Sequence, residues 1–137
     1  MLKKIVGFKT AIHIVLVLLC LIIFFHLLVL AKIIPYTIVW GGRLKTVSAM
    51  VRFEIASIAI NILLIAVITI KSRYLKLTIP SKLITVILWM YVILFSLNTI
   101  GNLLAKMTLE TTVFTPVTVI LALLCYRIVM EPGSLNK

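Results

Sequence analysis

Residues 50–70 read MVRFEIASIAINILLIAVITI, a stretch that is apolar almost throughout but carries a carboxylate at Glu54. A membrane-spanning helix needs about 20 apolar residues to cross a hydrocarbon core roughly 30 Å thick, and this stretch is long enough. An ionisable side chain inside such a helix is costly unless it faces a partner or a polar cavity. The chain has only three acidic residues. We therefore expect Glu54 to mark the part of the molecule in which function resides.

Three further stretches share this apolar character, and the four together predict the fold. Hydrophobic residues make up 64% of the chain, against about 45–50% in a typical soluble domain. The excess lies in four runs, predicted to span the membrane at about 8–31, 50–70, 83–104 and 113–130. A helix satisfies its own backbone hydrogen bonds and can cross lipid by itself. The predicted fold is an all-α membrane protein, a single-domain antiparallel bundle of four transmembrane helices.

The basic residues lie mainly beside the apolar runs. A net charge of +11 would suggest nucleic-acid binding in a soluble chain. Here the cations are placed to orient the helices and to meet anionic lipid head groups, so the expected partner is the lipid bilayer and not nucleic acid. Their distribution favours both termini in the cytoplasm. The first apolar run exceeds the 7–15 residues of a cleavable signal peptide, which predicts an uncleaved anchor.

Polar side chains from several spans are predicted to meet in the outer half of the bundle. Glu54 and Asn61 are spaced as i and i+7 and share one helix face, and Asn98 and Asn102 share another as i and i+4. With cytoplasmic termini, a rise of about 1.5 Å per residue brings these residues and His26 into the outer half. The alternative is that the asparagines only form hydrogen bonds between helices and stabilise the bundle.

The first connection is the most distinctive one in the chain. Its Trp40 suits the membrane interface, and the pair of glycines that follows permits a tight turn. Arg43 or His26 is the expected charge partner of Glu54. The connection is either an interfacial loop or a lid over a ligand. The candidate ligand-binding residues are Glu54, Asn61, Asn98, Asn102, His26, Arg43 and Trp40.

The fourth run and the cysteines are predicted to have structural roles. Small side chains form a heptad-like seam that predicts a packing face: Thr111, Thr115, Thr118, Ala122 and Cys125. Glu110 precedes this run, where a carboxylate stabilises the start of a helix. The chain has two cysteines but no CxxC pair and no spacing typical of metal ligands, so neither a metal nor a cofactor is expected.

Three functions are compatible with this pattern. The first is a protein that binds or transports a small cation, a proton or a small polar ligand through Glu54, working as a homo-oligomer if it transports. The second is an accessory subunit bound to a membrane-protein partner, in which Glu54 is half of a structural pair. The third is a membrane-embedded enzyme acting on a lipid or quinone-like molecule. It ranks last, because His26 and Glu54 alone are a weak catalytic signal.

The motif IPYTIVWGGRL at 34–44, followed by FE at 53–54 and NTIGN at 98–102, resembles a group of small, uncharacterised four-span bacterial membrane proteins. The resemblance covers most of the chain and implies a four-span fold without implying an activity. The first span lacks the carboxylate of small multidrug transporters. From the resemblance to four-span bacterial proteins, we expect a multi-pass protein of a bacterial cytoplasmic membrane.

Overall fold

The structure is a computed structural model that describes residues 5–131, and that range contains helices but no strands. The four long helices are α1 (Phe8–Leu30), α2 (Val47–Lys71), α3 (Ser81–Leu103) and α4 (Glu110–Val129). Each is long and apolar enough to cross a membrane. The prediction of an all-helical chain with four helices of this kind is confirmed.

Local sequence explains where the helices begin. Thr46 caps α2, because its hydroxyl oxygen accepts a hydrogen bond from the backbone N–H of Ala49 at 3.2 Å. A threonine in this position satisfies one of the free amides of the first turn. Pro80 immediately precedes α3, and its fixed φ suits the entry to a helix. Helix α4 begins at Glu110, three residues before the predicted boundary.

Contacts between distant segments bring the first connection, residues 31–46, to the start of α4. The backbone N–H of Gly41 donates to the carboxylate of Glu110. At the same end, His26 near the end of α1 meets Glu54 near the start of α2. We call this end of the molecule, with the first connection and residues His26, Glu54 and Glu110, the polar end.

The opposite end is closed by two buried cations. Arg127 of α4 donates from Nε to the carbonyl oxygen of Val6 at 3.0 Å and from Nη1 to the Glu131 carboxylate at 2.7 Å. Lys71, the last residue of α2, donates to the carbonyl oxygen of Glu131 at 3.1 Å. A buried cation is costly unless it is paired, so these contacts account for the burial of both side chains.

The four helices pack unevenly around one hydrophobic cluster. A fully buried leucine from each helix belongs to it: Leu19, Leu64, Leu88 and Leu121. Helix α1 packs on α2 and α4, and α3 packs mainly on α4, whereas α2 and α3 touch each other much less. They are linked where the Tyr91 hydroxyl donates to the carbonyl oxygen of Ile60 at 2.6 Å. Between this link and the polar end, α2 and α3 border an open cavity.

Candidate functional site

A left-handed turn in the first connection organises the polar end. Trp40, Gly41 and Gly42 have successive φ values of 57°, 65° and 69°. Two glycines adopt this conformation readily, but in a residue with a side chain it costs roughly 1–2 kcal/mol. A strained residue of this kind persists only where its surroundings hold it. Two carboxylates hold this turn: Glu54 binds the indole of Trp40, and Glu110 binds the backbone N–H of Gly41.

The first of these carboxylates is Glu54, whose side chain is completely buried. Its Oε1 accepts a hydrogen bond from the indole Nε1–H of Trp40 at 2.8 Å, and its Oε2 lies 2.6 Å from Nδ1 of His26. Both oxygens therefore have a partner, as a carboxylate in an apolar setting requires. Of the two partners expected from the sequence, the structure selects His26. The side chain of Arg43 is exposed and forms no ion pair within residues 5–131.

The second carboxylate, Glu110, is 7% exposed and lies at the start of α4. Both of its oxygens are 2.7 Å from the backbone nitrogen of Gly41. The sequence predicted a carboxylate outside the helix start. Instead, Glu110 begins a π-helical turn, Glu110–Phe114, in which the N–H of Thr115 donates to the carbonyl oxygen of Glu110.

Pro116 explains this wide turn. Proline has no N–H and its ring collides with the carbonyl of the residue four positions earlier, so a regular α-helical turn through Thr112 is disfavoured. The wider turn avoids the collision, and the hydroxyl of Thr115 adds a hydrogen bond to the carbonyl oxygen of Glu110 at 3.2 Å. Isolated π turns are frequent at functional sites.

A cavity of about 430 Å³ lies at the polar end, bordered by all four helices and the first connection. Pockets that bind small organic molecules have volumes of roughly 300–1,000 Å³. Many of its lining residues are apolar, but polar side chains converge on it from every bordering element. The polar lining residues are His26, Trp40, Ser57, Asn61, Asn98, Asn102, Glu110 and Thr118.

The amide side chains in the lining keep hydrogen-bonding capacity. Asn61 donates from Nδ2 to the carbonyl oxygen of Ser57 at 2.7 Å. Asn102 lies 3.5 Å from the hydroxyl oxygen of Thr118, a long contact. Asn98 is exposed and forms no hydrogen bond within the part of the chain that the structure describes. Each amide group has two donor hydrogens and an acceptor oxygen, so most of these groups are available to a ligand.

The structure brings together all of the predicted site residues except Arg43. Those that line the cavity are His26, Trp40, Asn61, Asn98 and Asn102. Glu54 lies outside the lining and bonds to two residues of it. Arg43 flanks the turn, with its Nε 3.5 Å from the point that a Gly41 Cβ would occupy, but it does not line the cavity.

The predicted set of ligand-binding residues omitted three polar residues of the lining, Ser57, Glu110 and Thr118. Ser57 shares a helix face with Glu54 and could have been included on that ground. Thr118 was assigned to a packing seam, which it also serves, because it is buried and accepts a hydrogen bond from Thr99 at 2.9 Å. Glu110 was given a local role, since its contact with Gly41 joins residues 69 positions apart.

Four membrane-length helices are typical of a multi-pass integral membrane protein. Comparisons of the chain with protein-family models, with curated proteins and with solved structures found no match. Within residues 5–131, no three His, Cys, Asp or Glu side chains are grouped so that they could hold a metal ion. Cys20 and Cys125 are free thiols. The features of the described residues that bear on function are therefore the cavity and its two neighbouring carboxylates, Glu54 and Glu110.

Proposed function

We propose that this protein is an integral membrane protein that binds a small ligand in the cavity at the polar end. The observation that carries the proposal is the convergence of polar side chains from all four helices on one cavity. Polar and ionisable groups within membrane helices are rare and usually face a partner or a functional pathway. If these side chains only held the helices together, they would form hydrogen bonds to one another. Instead, Asn98 forms no hydrogen bond within the described residues, and Asn61 and Asn102 each use only one of their hydrogen-bonding groups.

The two carboxylates have different roles in this proposal. Glu110 lines the cavity and faces the ligand directly. Glu54 lies behind the wall and positions His26 and Trp40 through its two hydrogen bonds. Asn98 and Asn102 offer amide groups from α3. The lid-like role considered for the first connection then falls to Trp40, which borders the cavity.

The proposal includes a membrane orientation. We place the four helices as an antiparallel bundle with both termini in the cytoplasm of a bacterium, so that the polar end faces the opposite side of the cytoplasmic membrane. The basic second connection supports this orientation, because positively charged loops are retained in the cytoplasm. Its basic residues and those that border it are Lys71, Arg73, Lys76 and Lys82. A cysteine placed in the first connection should then react with an impermeant maleimide in intact cells.

An accessory-subunit role is supported by one observation. The acceptor oxygens of Glu54 are occupied within the chain, as a purely structural pair would require. The seam on α4 offers little free surface to an oligomer, because Thr118 and Cys125 are buried inside a single chain. The accessory role leaves the open cavity without a purpose, which is why ligand binding is preferred.

Filling the cavity tests the proposal. Ser57→Phe places a ring in the lining, and Ile62→Phe is the matched control, because Ile62 is exposed and does not line the cavity. Thermal unfolding of the purified protein in detergent is measured with a panel of neutral, anionic and cationic small molecules. A ligand at 100 times its Kd should stabilise the native state by about 2.7 kcal/mol.

We expect at least one compound to stabilise the wild type and Ile62→Phe but not Ser57→Phe. The proposal fails if no compound in the panel stabilises the wild type. It also fails if Ser57→Phe responds to the same compounds as strongly as the wild type does.

A further inference from the structure

We propose that the ligand is an amphipathic organic cation, with an ammonium-type head bound beside Glu110 and an apolar tail that extends between α2 and α3 into the bilayer. This inference rests on the proposed ligand-binding function and specifies the chemical class of the ligand. Three features of the cavity carry it: a series of aromatic rings, a carboxylate that forms no ion pair within residues 5–131, and an opening between two helices.

The rings form a continuous series along the cavity lining, which we call the aromatic wall: Phe114, Phe25, His26, Trp40 and Phe53. Successive ring centroids in this order are 4.8, 6.1, 6.5 and 5.1 Å apart. A cation within about 6 Å of an aromatic ring is attracted by the negative face of the ring, and several rings together form the usual site for a quaternary ammonium group. A hydrated metal ion would find few oxygen ligands along this wall.

Glu110 adds a negative charge to this site. Within residues 5–131 its one hydrogen-bond donor is the backbone N–H of Gly41, which is shared by both carboxylate oxygens. No side-chain cation forms an ion pair with it in the described part of the chain. Arg43 lies nearby, since its Nε and Oε2 of Glu110 are 3.5 and 3.8 Å from the position that a Gly41 Cβ would occupy, but it is exposed and does not line the cavity. A carboxylate has about four lone-pair sites, and a nearly buried negative charge without an ion pair favours a cationic partner. An anionic ligand would be repelled by Glu110.

The rest of the cavity suits an apolar tail. Apolar side chains from all four helices complete the lining, among them Ile22, Leu94 and Val117. On the α2 side, the lining residues Phe53, Ala56 and Ile60 are exposed, and on the α3 side Asn98 is exposed.

Residues that line a cavity and are also exposed border its opening. Because α2 and α3 touch little, the opening lies between two helices whose outer surfaces face lipid. An alkyl tail that leaves the cavity there would remain in an apolar medium, which favours its binding by about 0.8 kcal/mol per buried CH₂.

Trp40 provides a direct reporter of the head group. The chain has two tryptophans, and Trp89 does not line the cavity, so Trp89→Phe leaves Trp40 as the only indole. The probe is decylpyridinium, whose charged ring quenches indole fluorescence at contact. It is titrated into the Trp89→Phe protein in maltoside micelles, and then displaced with decyltrimethylammonium, butyltrimethylammonium, decanol or decyl sulfate. Trp40→Phe, which retains Trp89, measures quenching due to partition into the micelle alone.

We expect saturable quenching of Trp40, displaced by decyltrimethylammonium at a lower concentration than by the butyl compound. Decanol and decyl sulfate should not displace it. In the Trp89→Phe background, Glu110→Gln should weaken binding about tenfold, the loss expected for one charge-assisted contact. The matched control is Glu131→Gln, which removes the carboxylate at the opposite end and should leave binding unchanged.

The outcomes separate this inference from the proposed function. Binding of decanol or decyl sulfate as strong as that of decyltrimethylammonium would overturn the cationic class while leaving a ligand-binding cavity in place. Equal binding by Glu110→Gln and the wild type would overturn the role of Glu110. Equal affinities for the decyl and butyl compounds would overturn the tail. Both proposals would be refuted if Trp40 were quenched no more than Trp89 and the cavity-filling experiment also failed.

Discussion

Replacing Glu54 with leucine should destabilise the protein, because the carboxylate holds two donors at the polar end. Leucine removes both acceptors, leaving the indole N–H of Trp40 and the ring nitrogen of His26 without their partner. An orphaned buried donor costs about 1–3 kcal/mol in soluble proteins, so roughly 2–6 kcal/mol for two is an upper limit here, because His26 and Trp40 are only partly buried. Hydrogen bonds in membrane proteins average about 0.6 kcal/mol and reach about 1.7. We therefore expect a loss of about 2–3 kcal/mol.

Glutamine at the same position should be much milder. Its amide oxygen can accept from Trp40, and its NH₂ group can donate to His26 Nδ1 if the imidazole carries its proton on the other nitrogen. Only the charge assistance is lost, so we expect less than about 1 kcal/mol. The predicted order of stability is wild type, then Glu54→Gln, then Glu54→Leu.

Unfolding by sodium dodecyl sulfate in mixed micelles, followed by circular dichroism, measures these differences. Ile55→Leu is the matched control, because Ile55 is the exposed neighbour on the same helix. A double-mutant cycle with Trp40→Phe should show a coupling of about 1 kcal/mol if the indole bond contributes as argued. Ordinary surface substitutions change the free energy of unfolding by up to about 0.5 kcal/mol. The reasoning would be refuted if the unfolding free energies of Glu54→Leu and Ile55→Leu differed by no more than this.

Three further substitutions give distinct outcomes. Gly42→Ala should lower the free energy of unfolding by about 1–2 kcal/mol in the same assay, because φ is 69° and the new Cβ would lie 2.9 Å from Cε of Met107. Adding Met107→Ala should restore only part of this loss. Full restoration would show that backbone strain is unimportant. Pro116→Ala allows a regular α-helical turn and should displace Glu110, so decylpyridinium should bind more weakly while the free energy of unfolding is unchanged or higher. Unchanged binding would show that the π turn does not position Glu110 for the ligand. Arg127→Met should destabilise by about 1–3 kcal/mol, because it leaves a carboxylate and a carbonyl at the opposite end unpaired, and a shift in ligand binding instead would contradict its structural role.

Sequence periodicity was sufficient to find the helices and to group several of the side chains that line the cavity. The four apolar runs define the helices because in lipid the length and hydropathy of a segment largely decide its structure. Glu54 could be grouped with Asn61, and Asn98 with Asn102, because spacing along a helix fixes which side chains share a face. Each of these inferences depends on residues within one helix, where local geometry is regular.

Contacts made by the first connection were beyond such reasoning. Whether Arg43 or His26 would meet Glu54 depended on the left-handed turn at Trp40, which directs the indole to Glu54 and leaves Arg43 exposed. Tryptophan rarely adopts a positive φ, so the residue type alone does not predict this turn. It depends on acceptors supplied by α2 and α4, and those acceptors lie far away in the chain.

The turn at Trp40 also explains why the cavity opens where it does. Through Glu54 it is tied to α2, through Glu110 to α4, and His26 adds α1 to the same network. None of these hydrogen bonds reaches α3, which packs mainly on α4. The cavity therefore has three walls fixed by buried carboxylates and one wall, α3, fixed only by packing and a few hydroxyl and amide contacts. Any widening needed to admit a ligand from the bilayer costs least between α2 and α3, which pack more loosely than the other neighbouring pairs, α1–α2, α1–α4 and α3–α4.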